Sequence, residues 1–300
     1  LGTPLGSRVT FGTGNALAPE PIGELLKLND VTFNVGTDSA SVDETTTTIS
    51  NAWSFDGSND YVGLPFQLTQ DNQDFSVSAW VTLDTLTNNV GIVGQMDNDL
   101  EQEDFSMWYN SIGKFYCDKR TDSTSEDQDI VRSTLTISTA TWYHVVCVYD
   151  DSVANDQASL PQGAWTMYVN GVMESDIPLD SNDGGGNPAD GSQAWIGVIF
   201  APNRYWDGII DEVVVFDKAL SSTEVTSLYN GAQPSTISTL LAHYNFEQTS
   251  GDLLDQTSNS NDGTNNGAIQ TATGITEIFS NTIISATGLT DNTSEAKNYV

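Results

Sequence analysis

Phe75-Ser-Val-Ser-Ala-Trp-Val81 decides the fold class. Its apolar residues recur every second position, so a strand places Phe75, Val77, Ala79 and Val81 on one face. Trp142–Tyr149 (WYHVVCVY) and Trp165–Asn170 (WTMYVN) behave alike. Ala194–Phe200 (AWIGVIF) and Ile209–Phe216 (IIDEVVVF) are apolar at successive positions, the pattern of strands covered on both faces. Clusters of Asp, Asn, Gly, Ser and Thr separate these runs. Short strands punctuated in this way predict an all-β chain, an antiparallel β-sandwich.

One helix stands out. In Leu220–Gly231 (LSSTEVTSLYNG), Ser221 precedes Glu224 by three residues, the spacing of a capping box. Asn230-Gly231 suits a left-handed C-cap. Val225, Leu228 and Tyr229 share one face of a helix near 221–230, which would lie against the sandwich. Around this core, residues 1–30 mix Gly, Pro and short apolar pieces and read as an N-terminal arm or linker. Residues 31–232 carry the sandwich pattern and 233–239 (QPSTIST) a linker. The strand-like Leu240–Phe246 (LLAHYNF) then opens 240–300, either the start of a second, incomplete or diverged module or a strand completing the first.

The chain has 300 residues, with 41 acidic side chains against 9 basic, a formal net charge of −32. Nucleic-acid binding needs a basic surface to neutralise phosphate, and docking on anionic lipid needs the same sign of charge. Both are excluded as leading functions. No apolar run approaches the roughly 20 residues of a membrane helix, so no insertion is expected. An acidic surface with so little Lys and Arg suits a salty medium or one rich in divalent cations. The sequence starts at Leu1 rather than Met, which reads as a processed, trimmed or fragmentary chain. Cys117 and Cys147 lie on strong strand patterns. If those strands are neighbours, a cross-strand bridge closing about 30 residues would stabilise by ~3–4 kcal/mol; the other reading is two buried thiols.

Five stretches in order resemble the laminin-G-like branch of the concanavalin A-like jelly rolls. They are Trp53–Val62 (WSFDGSNDYV), Phe75–Val81, Trp142–Val146 (WYHVV), Met167–Val172 (MYVNGV), and Asp207–Phe216 running into Ala219-Leu-Ser221. The resemblance implies a jelly-roll β-sandwich of two antiparallel sheets with rim loops as binding surface. It also implies a rim calcium, with Asp56, Asp60 and Asp211 as donors. In such modules, words like Leu241–Glu247 and Asp255–Gly263 usually come ahead of the FDGSNDYV-like piece. Here they follow the helix.

The residues bear on three chemistries. Glycoside hydrolysis needs two carboxylates facing each other across a sugar, and period 2 sends Asp211 and Glu212 to opposite faces. His144 and His243 sit in strand patterns with no nucleophile motif nearby, so catalysis is not the leading reading. For calcium, the acidic loops Asp56–Asp60, Asp97–Asp104, Asp150-Asp151 with Asn155-Asp156, and Asp180–Asp183 supply oxygens, though none fits an EF-hand; Asp56 and Asp60 equally serve as Asx turn caps. For sugars, an aromatic platform beside amides and charges is the recognition chemistry. Two clusters offer it, one with Trp108 and Tyr109, the other with Asn203, Arg204, Tyr205 and Trp206, although tryptophans in sandwiches often pack in the core. The sequence thus reads as a non-enzymatic recognition or adhesion module on an extracellular, cell or virion surface, glycan-binding and calcium-assisted. The rival is a structural virion or surface-appendage protein working through protein–protein contacts, with oligomerisation in a larger assembly.

Overall fold

The computed structural model describes residues 40–41, 48–49, 51–68, 73–86, 89–96, 103–120, 128–153, 165–174, 193–199, 204–271, 276–277 and 285–286. Residues 1–30, the expected arm, lie outside them. The chain divides into a unit of residues 43–283 and a smaller one of 1–42 with 284–300. In the latter, Ala40–Ser41 pairs antiparallel with Ser285–Ala286.

The larger unit is an antiparallel sandwich. Its strands begin with β1 (Ala52–Asp56), β2 (Tyr61–Leu64), β3 (Phe75–Leu83), β4 (Val90–Met96), β5 (Glu103–Asn110) and β6 (Lys114–Arg120). They continue with β7 (Gln128–Arg132), β8 (Tyr143–Tyr149), β9 (Trp165–Val169), β10 (Val172–Met173), β11 (Gln193–Ile196), β12 (Val198–Ile199), β13 (Arg204–Tyr205) and β14 (Asp207–Phe216). Helix α1 (Ser222–Tyr229) follows, then β15 (Leu240–Tyr244), β16 (Thr264–Asn266) and β17 (Ile269–Thr271). An eight-stranded sheet runs β10-β9-β8-β3-β14-β1-β17, with β15 also on β14; a seven-stranded sheet runs β16-β2-β11-β4-β5-β6-β7.

Alternation drives the two sheets together. Phe75, Val77, Ala79 and Val81 of β3 face inward with Val145 and Cys147 of β8 and Val213 and Val215 of β14. They meet Phe105, Met107 and Tyr109 of β5 and Phe115 and Cys117 of β6 across the core. Cys117 and Cys147 are joined by a disulfide with Cα atoms 6.0 Å apart. The bridge ties the two sheets to each other rather than neighbouring strands of one sheet, because β6 and β8 belong to opposite layers.

The other face of the eight-stranded sheet is covered as well. The capping box forms: Ser221 Oγ accepts from the Glu224 amide and Glu224 accepts from the Ser221 amide. Gly231 then turns left-handed, at φ 84°. Val225 and Leu228 pack with Val146, Val148, Val214 and Phe216, while Tyr229 stacks on Trp80. The expected 233–239 linker contains a 3-10 turn at Pro234–Thr236, and Pro234 and Ile237 are buried.

Within residues 240–271, Leu240–Tyr244, Thr264–Asn266 and Ile269–Thr271 are strands paired into these two sheets. β1 pairs with the first half of β14 (Asp207–Ile210), and β15 pairs with its second half (Val213–Phe216) on the same edge. The physical reason is burial: Ala242, Tyr244 and Phe246 complete the core beside Trp53. β16 and β17 extend β2 and β1. The sandwich therefore runs past the expected end at residue 232.

Two predictions follow from these contacts. Thiol labelling in denaturant without reductant leaves Cys117 and Cys147 unreacted, and Cys117→Ala with Cys147→Ala lowers unfolding stability by ~3–4 kcal/mol in urea titrations. His144, buried with Nε2 2.8 Å from Ser78 Oγ, has its pKa pushed down to about 3 by desolvation, from an ordinary 6.5. Between those values the unfolded chain takes up a proton that the folded chain refuses. This contribution is complete above pH 6.5 and is lost progressively as pH falls toward 3. His144→Gln flattens that part of the urea-midpoint profile.

Candidate functional site

The outer face of the seven-stranded sheet collects side chains suited to recognition. Trp108 of β5 and Tyr116 of β6 are cross-strand partners whose rings lie 4.8 Å apart. The hairpin β12–β13 crosses the face above them. Gly91 and Gly94 make this approach possible: a Cβ on either would meet Ile199 at 2.4 or 2.7 Å. The hairpin sets Arg204 with its guanidinium carbon 5.6 Å from the Trp108 ring centre, a cation–π contact. Ile199 and Ile130 complete that cluster. On its other side the hairpin sets Tyr205 6.5 Å from Tyr61, in a cluster with Trp195 and Val198. Asp118 shares the outer face two positions along from Tyr116, where it accepts a short hydrogen bond from Ser106 Oγ.

Trp108, Arg204 and Tyr205 are therefore brought to one face. Tyr109 and Trp206 are not. Tyr109 points inward because its neighbour Trp108 points out, and it is 1% exposed with its hydroxyl donating to the Leu86 carbonyl. Trp206 is fully buried, its indole N–H donating to the Ile209 carbonyl at 3.3 Å. Asn203 lies outside the described residues. Tyr116, Tyr61 and Trp195 had not been singled out. Alternation within Lys114–Arg120 was the signal that would have found Tyr116, with Phe115 and Cys117 turned inward.

The expected calcium donors are split. Asp56 and Asp60 share the turn between β1 and β2. There Asp56 Oδ1 accepts from the Ser58 and Asn59 amides and Asp60 Oδ2 accepts from the Asp56 amide. Burial, and then the charge of Asp56, raise the pKa of Asp60 above the ordinary carboxylate value. Asp207 is the cross-strand partner of Asp56, and its Oδ2 accepts from Thr85 Oγ1. Asp211 is four residues further along β14, about 13 Å away at strand rise, paired with Trp80 of β3 in the same sheet. Among the described residues no group of three or more His, Cys, Asp or Glu side chains is placed to hold a metal ion. Calcium takes six to eight oxygens, and Asp211 lies apart from the Asp56–Asp60 turn, so the three expected donors do not form one site.

Sheet order and the covering helix define a concanavalin A-like β-sandwich. The profile of the Concanavalin A-like lectin/glucanases superfamily, in its laminin G form, matches residues 56–226. The chain belongs to that superfamily. Among solved structures it is similar to a Bacteroides ovatus protein provisionally described as carbohydrate-binding, at 21% identity and a TM-score of 0.52. That match covers 74% of this chain and 60% of the other. It is similar to a heptameric SAP-like pentraxin from Limulus polyphemus at 17% identity and a TM-score of 0.53, covering 77% and 98%. These likenesses show the fold. No curated protein matches the chain.

If Asp56 acts as a turn cap, Asp56→Ala lowers the thermal midpoint by the equivalent of about 1 kcal/mol, equally in EDTA and in millimolar calcium. A loss that appears only with calcium would instead place the ion at this rim.

Proposed function

We propose that this chain is a carbohydrate-recognition module of an exterior surface, without bond-breaking chemistry of its own. The observation that carries the reading is the Trp108–Tyr116 pair under the Arg204 guanidinium, on a sheet face crossed by a hairpin that two glycines admit. Sugars present an apolar C–H face and a ring of hydroxyls. The rims of Trp108 and Tyr116, 8% and 7% exposed, meet the first, while the half-buried Arg204 and Tyr205 meet the second. Recognition at this face needs no metal. Hydrolysis would need two carboxylates facing a sugar, and Asp118 on this face is buried and accepts from Ser106 Oγ. The Cys117–Cys147 bridge supports an oxidising, extracellular setting.

Glycan-array screening followed by calorimetry tests this reading. The parent binds at least one glycan, and Arg204→Ala and Trp108→Phe each weaken it at least tenfold, about 1.4 kcal/mol, while the Arg204 variant keeps its thermal midpoint. Absence of any bound glycan, or variants that bind like the parent, would overturn it. Solution size would then measure the assembly alternative.

A further inference from the structure

A cavity of about 470 Å³ opens elsewhere, between β15, the 3-10 turn and the 256–259 loop. His243, Asn245, Gln233, Gln256, Ser258 and Asn259 line it. The volume lies within the range of small-molecule sites. It belongs to the eight-stranded sheet, so it is separate from the Trp108 face.

The surrounding backbone is held in a costly conformation. Of the six non-glycine residues with positive φ among those described, Glu212, Thr239, Phe246 and Ser260 flank this cavity or its lining strand and loop. Left-handed backbone is costly for an L-residue, and such residues gather where a site is built. Glu212 occupies the bulge in β14, and its carboxylate lies 2.7 Å from His243 Nε2. The loop is laid over β15 by Asp255 and Asn259. Asp255 accepts from the His243, Thr257 and Asn261 amides and the Thr257 hydroxyl. Burial opposes its ionisation, but these hydrogen bonds prevail and hold its pKa below the ordinary value.

Among the described residues, the lining amides are bonded at one end and take no hydrogen bond at the other. Asn259 donates from Nδ2 to the Leu241 carbonyl at 2.9 Å, leaving Oδ1 unused. Gln256 donates to the Leu254 carbonyl at 3.1 Å, leaving Oε1. Asn245 accepts through Oδ1 from Glu247 and Gln248, leaving its NH₂ group. The side chain of Gln233 has no hydrogen bond among the described residues. The lining therefore offers both donors and acceptors to one cavity. An anion would use only the donors and a cation only the acceptors, whereas a hydroxyl uses both. No Lys or Arg lines the cavity, and the charges bonded to its lining residues are the carboxylates of Glu212 and Asp255. That disfavours phosphate, sulfate and acidic sugars.

We propose that this cavity is a second ligand site, one that takes a single neutral saccharide unit through its hydroxyls. With no aromatic wall to stack on, its affinity falls in the millimolar range. The proposal stands on its own residues and does not need the Trp108 face to bind.

The test is a ¹⁵N heteronuclear titration of the full chain with glucose, galactose, mannose and arabinose, to about 100 mM each, with N-acetylneuraminic acid as the anionic control. The side-chain amides of Asn245, Gln256 and Asn259 shift saturably with at least one neutral sugar. The same shifts persist in Arg204→Ala, which disables the other face. They are lost in Gln233→Ala combined with Gln256→Ala, two exposed positions whose change leaves the thermal midpoint in place. Absence of saturation with every neutral sugar overturns the proposal, as does preference for the acidic control or loss of the shifts in Arg204→Ala.

Discussion

The closing of two sheets on one another is the constraint from which the rest follows. Each sheet offers an apolar inner face, and neither can leave it in water, since every fully buried large side chain contributes on the order of 1.5–3 kcal/mol. Cys117 and Cys147 make that closure covalent at a point where both are fully buried. Once the inner faces are fixed, alternation fixes the outer ones. Trp108 and Tyr116 face outward because Met107, Tyr109, Phe115 and Cys117 face inward.

The bulge in β14 is the second organising feature. A regular strand presents one continuous edge, yet β14 offers its first half to β1 and its second to β15. The extra residue, Glu212, falls near this division and turns left-handed at φ 48°. Its carboxylate then reaches His243 on the newly added strand. A segment distant in sequence is thereby built into the same sheet. The strand that completes the core also carries the wall of the polar cavity.

The fold was legible in the sequence to an unusual depth because β-sandwich burial writes itself as period 2. Phe75–Val81, Trp142–Tyr149 and Ile209–Phe216 are strands where their alternation or double-faced apolarity puts them, and Ser221 with Glu224 begins the helix. The place of 240–271 was not legible. Its words describe a strand and a loop, and nothing local to them says which edge the strand joins. The site was half legible. Trp108, Arg204 and Tyr205 meet on one face, whereas Tyr109 and Trp206 fill the core, because an aromatic residue next to a strand end serves either purpose.

By itself, the sequence determined the fold class, the main strands and the helix, along with the net charge of −32. Those properties depend on neighbours within a few residues or on totals over the chain. Only the tertiary structure decided that the disulfide spans the two sheets and that Asp211 is far from Asp56. It also decided that His243, Asn245 and Gln256 share one cavity. These are facts of strand order and register, and strand order is set by which edges and faces are left to bury once all the strands compete for them.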